Sequence, residues 1–408
     1  MTDPASPEPP GGTGDGAARG LAAVTGLAPD EFASAHWGRR PLLTRAEALP
    51  PPSHGFDADA VDELLARRAL RTPFLRMARD GATLDAREFT LGGGVGAAVA
   101  DQVSEDKVLR LFAEGATIVL QALHRSWEPV SRTARALAAD LGHPVQVNAY
   151  VTPPQNRGFD DHYDVHDVFV VQVEGEKHWR VRPPVLELPH RSEPWTDRRE
   201  AVAEAATAPP VVDDVLAPGD CLYLPRGWLH SATALGGTSI HLTFGVHVWT
   251  GRTLADDLLA TVGRRLDDDP ALRRSLPVGV DGLDPSTTSG ARESLRESII
   301  RALDDVTDDE LAAALARRVR AAERAEPLGV LAQHRSAGAE VGPRWQVRQG
   351  LAGRWEGDVH VSRVGRFRAG ADDRVLVESL LAGRTGPESL PDDLRRRLVL
   401  AGVLVLGT

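Results

Sequence analysis

Two histidines, a carboxylate and a lysine carry most of the chemistry this sequence offers. The stretch GFDDHYDVHDVFVVQVEGEKHWRV, residues 158–181, contains His162, Asp164, His166, Lys177 and His178, and GDCLYLPRGWLHSA, residues 219–232, contains His230. His162 and Asp164 are two apart, so in an extended segment both side chains point to the same face. Alone, His-x-Asp is an unspecific pattern that an ordinary surface loop also satisfies. A second histidine from a neighbouring strand changes its meaning, and His230 follows a strand and a Pro-Arg-Gly turn that can swing it back toward the first pair. Two histidines and one carboxylate form the facial triad of non-haem Fe(II) oxygenases, which leaves three positions open.

His166 shares the parity of His162 and Asp164. In a straight strand at about 3.3 Å per residue it lies about 13 Å from His162. Donors around one first-row ion at about 2 Å are only about 3 Å apart. His166 is therefore read as a pocket or surface residue, and His178, which alternates away from Lys177, as packed or solvent-facing.

Lys177 stands out by scarcity. Of 47 basic residues only Lys107 and Lys177 are lysine, a bias like that of a GC-rich bacterial genome. The two asparagines, Asn148 and Asn156, and the three tyrosines, Tyr150, Tyr163 and Tyr223, all lie between residues 148 and 223. Rare residue types thus cluster around the candidate ligands. VFVVQV-EGE-KHWRV reads as a hairpin with Lys177, Trp179 and Val181 on one face. Trp179 and Val181 want a core, so Lys177 points inward too, and a buried ammonium needs an anion. A dicarboxylate reaching from the metal face fits that need, and a point charge fits a narrow barrel better than the arginine fork. The competing reading is a lysine that snorkels to the surface.

The elements around these residues are short strands separated by turns from 145 to 250: VQVNAYV, DVFVVQVEG, KHWRV, CLYLP and TSIHLTFGVHVW, a pattern of barrels and sandwiches. Upstream, PDEFASAHWGRRPLL is expected to start a helix capped by Asp30 and stopped by Pro41. ATIVLQAL reads as a buried strand, and VSRTARALAADLG as a helix ended by Gly142. The formal G-x-G-x-x-A at 92–97 lacks a preceding strand and reads as a loop. After Gly251, TLADDLLATVGRRL, SLRESIIRALDD and TDDELAAALARRVRAAE are amphipathic helices, the last opening with a Thr307–Glu310 capping box. Residues 1–25 are too poor in apolar side chains to fold and are expected to be a disordered tail.

Composition narrows the class. Hydrophobic content of 42% with 26% charged residues describes a soluble globular chain. No apolar run reaches membrane-span length, and the start is acidic and Pro/Gly-rich rather than a signal peptide. A single cysteine, Cys221, excludes an internal disulfide framework and a cysteine-based zinc cluster and points to a reducing cytoplasm. The net charge of −11 argues against direct nucleic-acid binding and suits a basic partner. The Arg395–Arg397 run lies in a mixed-charge helix and reads as a solvated face.

The run NAYVTPP…GFDDHYDVHDVFVVQVEGEKHW followed by GDCLYLPRGWLHSA resembles the Jumonji-C-type ribosomal oxygenases. The likeness extends through FASAHWGRRPLL and GATIVLQALHRSWEPV, over roughly residues 25–250. It implies a mainly β core with α, a double-stranded β-helix (cupin) catalytic domain over 26–250. A helical dimerisation region over 251–330 and a winged-helix-like domain over 331–408 would follow. It implies Fe(II) held by His162, Asp164 and His230, and 2-oxoglutarate whose distal carboxylate meets Lys177. Asn148 and Tyr150 would line the cosubstrate pocket, with His241 and Thr243 flanking it. The family often has a serine near Gly245; this chain has none there. The implied activity is hydroxylation of a basic ribosomal protein by a cytoplasmic homodimer with no membrane attachment. The alternatives are a tailoring oxygenase acting on a small peptide or natural product, and a non-catalytic cupin scaffold.

Overall fold

Burial along VQVNAYVT alternates as a strand with two different faces requires. Val145, Val147, Ala149 and Val151 enter the apolar core, while Asn148 and Tyr150 turn to the opposite side. The computed structural model describes residues 20–79, 81–156, 159–338 and 344–407. The described residues fall into two compact units, one between Gly14 and Val248 and the other between Trp249 and Thr408.

The first unit is a mostly antiparallel β core with helices. Its strands are β1 (Leu42–Thr44), β2 (Leu75–Arg79), β3 (Ala82–Thr83), β4 (Thr90–Leu91), β5 (Gln102–Val103) and β6 (Thr117–Leu120). They continue with β7 (Val145–Thr152), β8 (Asp167–Arg182), β9 (Val212–Leu216), β10 (Cys221–Leu224) and β11 (Leu229–Val246). The main sheet runs β1-β10-β8-β11-β7-β6-β2-β3, and β9 pairs with β8 off that path. β4 and β5 form a separate pair, and the glycine-rich segment at 92–100 between them is a loop.

β8 and β11 organise this unit. They pair over nearly their whole lengths, from Leu229↔Arg182 to Val246↔Asp167, with irregularities between Leu235 and His241. The first half of β8 also pairs with β10 and the second half with β9. The hairpin expected at Glu174-Gly175-Glu176 is thus a bend inside one strand of 16 residues. Gly175 adopts φ 63°, as a turn glycine would, but here the left-handed residue serves a bulge opposite 236–239. A Cβ at Gly175 would lie 2.2 Å from the Thr238 carbonyl oxygen, so the close approach requires glycine. The inward face survives the correction: Lys177, Trp179 and Val181 are all buried.

Several local expectations meet the structure directly. Gly142 ends the helix Glu128–Leu141 in the left-handed conformation, and Thr307 and Glu310 form the capping box of Asp308–Ala322. The helix Pro29–Ala35 departs from expectation. Ala28 is its N-cap, Asp30 sits in the first turn without capping, and the helix ends at His36, before Pro41. Proline at the first helical position, with φ already set, starts it instead. Of the expected tail, residues 1–19 lie outside the described residues, but Leu21–Thr25 is a helix. Leu21 and Val24, three apart, bury into the core, and the Leu21 amide donates to Asp140 at 2.8 Å, so two apolar residues suffice to dock it. Among the described residues sulfur is equally enclosed: Cys221 and Met77 are 1% and 0% exposed.

In the second unit the helices Gly251–Asp267 and Asp308–Ala322 are joined by Arg318–Asp257 at 2.7 Å and Arg265–Glu310 at 2.8 Å. The helix Ser289–Asp304 leaves Leu295, Ile299 and Leu303, each four residues from the next, about two-fifths exposed. Further on come β12 (Trp345–Val347), β13 (Arg354–Glu356), β14 (Val359–Ser362), β15 (Gly365–Arg368) and β16 (Leu404–Leu406). With the helices Ala371–Leu381 and Asp392–Leu400 they enclose a core around Val377, Leu380, Leu394 and Leu398. In the 395–397 run, Arg395 pairs with Asp392, while Arg397 pairs with Asp373 and lies over the Phe367 ring. No helix among the described residues is long and apolar enough to cross a membrane.

Candidate metal centre

His162 reaches the β core through its backbone. Its amide donates to the His230 carbonyl at 3.2 Å, and the His230 amide donates to the His162 carbonyl at 2.8 Å. Residues that exchange both hydrogen bonds in an antiparallel pair face the same side. The two imidazole centroids are 4.4 Å apart. Tyr163 alternates to the other side, where it is buried and its hydroxyl donates to the Glu193 carbonyl. Asp164 then returns to the side of His162, and its carbonyl accepts from the Gly227 amide at 3.0 Å. Gly227 has φ 90°, and a Cβ there would meet the Leu186 carbonyl oxygen at 2.5 Å, so the Pro-Arg-Gly turn before His230 depends on this glycine. A buried Arg182 donates to Asp161 at 2.7 Å, and Ser231 donates to the same carboxylate, which ties the ligand segment to β8 and β11.

The three side chains offer donor atoms within 4.8 Å of one another, the one such group of histidine, cysteine or carboxylate ligands among the described residues. His230 Nε2 lies 3.9 Å from Asp164 Oδ2. The Nδ1 of His162 is 2.7 Å from the Asp160 carbonyl, and that of His230 is 3.1 Å from the Trp228 carbonyl. A carbonyl only accepts, so each Nδ1 carries its proton and each Nε2 presents a lone pair, the arrangement of metal-binding histidines. Burial, together with the neighbouring His162, pushes His230 down to about 4, so it is neutral at pH 7. Burial alone would raise Asp164, but His166, His230, His162 and Arg76 outweigh it and hold the carboxyl below its usual range. An oriented imidazole pair beside an ionised carboxylate fits a divalent first-row ion.

These residues open onto a cavity of about 240 Å³. Lys177 lies in its wall, 4% exposed, and donates to the Thr152 hydroxyl at 3.1 Å. Burial pushes its ammonium down to about 7. Tyr150 and His241 pair across β7 and β11 and stack at 4.9 Å, and both line the cavity with Thr243. Burial drives His241 well below the usual imidazole range and raises Tyr150 to about 12. Asn148 is not part of the lining. Its side-chain oxygen accepts from the Ala122 amide at 3.1 Å, and it shares the strand face of Tyr150. Three buried polar atoms of the wall have no partner among the described residues: Arg76 Nε, Trp179 Nε1 and His241 Nδ1. Such orphans match a polar occupant carrying oxygen acceptors.

The remaining sequence candidates fall elsewhere. His178 is 2.5 Å from Asp213, half-buried on the outer side. His166 stacks on His247 at 5.3 Å, and its ring fills the space a Cβ at Gly245 would need. That packing gives this chain its own reason for glycine at 245. Arg76, Phe159 and Trp195 also line the cavity and were invisible in the sequence, since nothing in their surroundings distinguishes them.

Comparison with known proteins follows the same residues. Residues 123–254 match the family model of the JmjC domain, a span containing all three candidate ligands and Lys177. Ribosomal oxygenase 1 of Gallus gallus is 29% identical over 289 residues, 68% of this chain and 45% of that protein. The bifunctional lysine-specific demethylase and histidyl-hydroxylase NO66 of Drosophila persimilis is 37% identical over 139 residues, 33% of this chain and 19% of that protein. The chain thus spans less than half the length of these two curated relatives. A solved structure of YcfD, a ribosomal oxygenase from Escherichia coli in complex with cobalt and 2-oxoglutarate, aligns with a TM-score of 0.56 at 17% identity. It covers 94% of this chain and 99% of that one, which shows a shared fold. The likeness to ribosomal oxygenases is therefore found in sequence and fold alike.

The ligand assignment makes a direct prediction. Calorimetry should find one Mn(II) site per chain, weakened at least about a hundredfold in His162→Ala and in His230→Ala, because two donors hold the ion poorly. Melting temperatures should stay close to that of the unsubstituted protein, since the backbone pair at these positions remains. Equal Mn(II) affinity in both variants would remove the assignment.

Proposed function

We propose that this protein is an Fe(II)- and 2-oxoglutarate-dependent oxygenase that hydroxylates a side chain of a protein substrate, a basic ribosomal protein. The observation that carries the reading is a two-histidine, one-carboxylate donor set sharing one cavity with a buried lysine that has no carboxylate partner among the described residues. His162, Asp164 and His230 would hold the iron, and Lys177, oriented by Thr152, would hold the distal carboxylate of the keto acid. Fe(II) and 2-oxoglutarate, when bound, supply the reduction of dioxygen that yields succinate and carbon dioxide and turns a substrate C–H into C–OH. The chain's own work is to fix the ligands, grip the cosubstrate and keep water away. Trp179 and the Tyr150–His241 stack form dry walls, while Phe159 and Trp195 flank His162, with ring centroids at 5.7 and 6.3 Å.

The names of the similar proteins, ribosomal oxygenases and a histidyl-hydroxylase, support a ribosomal protein as substrate. The net charge of −11 is complementary to one. Cytoplasmic location and the absence of direct nucleic-acid binding belong to the same reading. The exposed stripe Leu295, Ile299 and Leu303 supports a homodimer formed through residues 251–330, and residues 331–408 read as a winged-helix-like domain.

Intact masses of ribosomal proteins from a wild-type and a deletion strain test the function. One protein lighter by a single oxygen atom in the deletion strain is the expected result, and identical masses throughout would contradict it. Light scattering at micromolar concentration should give twice the chain mass, and Ile299→Asp should return it to the chain mass; a monomer before substitution would dismiss the dimer.

Lys177 sets the pH behaviour of cosubstrate binding. A carboxylate binds the ammonium form, which predominates below pH 7 in the empty site and is lost above it. Of the other wall groups, His230 and His241 are already neutral in this range and Tyr150 stays protonated. With Mn(II) saturating, the 2-oxoglutarate Kd should rise about tenfold between pH 6 and pH 8, with proton uptake at the higher pH. Lys177→Ala should weaken binding about a hundredfold or more and flatten this profile, and Lys177→Arg should rescue it poorly. Unchanged affinity in Lys177→Ala would mean the lysine has another role.

A further inference from the structure

The cavity wall holds two cations, and the reading above uses only one. Arg76 and Lys177 are its lysine and arginine side chains, and Asp164 its one carboxylate, already assigned to the metal. Neither cation forms an ion pair among the described residues, and Arg76 Nε is buried without a hydrogen-bond partner. Register places Arg76 in an inward row. Arg76 on β2 pairs with Val119, Val119 with Tyr150, and Tyr150 with His241, and residues directly opposite across a sheet share a face. Neighbouring positions confirm the parity, since Leu75, Met77, Ile118 and Leu120 enter the apolar core on the other side.

The two cations serve different parts of the cavity. Lys177 sits at Thr152 and acts on His241. Arg76 belongs instead to the row of Tyr150, two residues along β7 from Thr152. A second unpaired cation in the wall of a metal site is costly unless an anion comes between them. A 2-oxo dicarboxylic acid brings two carboxylates, and a metal-chelating keto acid presents one of them beside the ion.

We propose that Arg76 binds the metal-proximal carboxylate of the keto acid, so that the cavity grips a dicarboxylate at both ends. The proposal rests on the cosubstrate reading above, and the test separates the two. Full-length protein saturated with Mn(II) is titrated with 2-oxoglutarate and with 2-oxobutyrate, which keeps the keto-acid end and lacks the distal carboxylate. Calorimetry follows the first, and loss of metal-bound water in proton relaxation follows the weaker second.

Arg76→Gln should weaken both ligands by the same factor, about ten- to a hundredfold for a lost charged hydrogen bond. Lys177→Ala should weaken only 2-oxoglutarate. Arg76→Lys should recover part of the loss. Mn(II) affinity without keto acid should be unchanged or tighter in Arg76→Gln, because a repelling charge is gone, which a misfolded variant would not show. If Arg76→Gln binds 2-oxoglutarate normally while Lys177→Ala does not, the inference fails and the cosubstrate reading stands. Weakening of 2-oxoglutarate alone would put Arg76 at the wrong end and also overturn it. If the unsubstituted protein binds no 2-oxoglutarate, both readings fall.

Discussion

The reciprocal backbone hydrogen bonds between His162 and His230 are the constraint on which the rest of the site depends. They join a segment with no other strand pairing of its own to the start of β11, and they fix which way both rings face. Everything else follows by parity and spacing. Asp164 returns to the same side two residues later, Tyr163 anchors the other, and the carbonyls of Asp160 and Trp228 set each ring's tautomer. A backbone pair is well suited to this task, because it survives substitution of either side chain and holds the donors near one point before any ion arrives.

The second organising feature is the shared path of β8 and β11. Because both strands bend rather than end, the wall with Lys177 and the wall with His230 belong to the same pair of strands. Lys177 and His230 are therefore built on one rigid element, the arrangement that would keep a ligand bound at one at fixed distance from the other. The cost is a left-handed residue at Gly175 with a carbonyl packed against it.

How much of this was legible depended on what each residue had to satisfy. Lys177 could be found because lysine is rare in this chain, and His162, Asp164 and His230 because parity and a turn allow them one shared face; the structure brings all four to one cavity. Arg76 could not be found, since one arginine among so many carries no signal until register places it opposite Val119, in the row of Tyr150. The Glu-Gly-Glu bend was misread because a positive φ looks the same in sequence whether the chain reverses or merely bulges. Asn148 has the parity of Tyr150, and its side-chain oxygen accepts from the Ala122 backbone, a partner that the sequence does not show. Leu21 and Val24 were averaged into a polar tail, although two apolar residues at helical spacing are enough to dock a single turn.

The placement of sulfur has a bearing on durability. Among the described residues it is confined to Met77 and Cys221, both sealed in the β core, with burial raising the Cys221 thiol far above its usual range. A thiol that does not ionise is a poor nucleophile, and an enclosed thioether offers no surface to a diffusing oxidant. An oxygenase that binds iron would be exposed to its own stray oxidants whenever a turnover misfired. Among the described residues, sulfur sits where peroxide cannot reach without first opening the sheet, so damage to it would have to begin with loss of the fold.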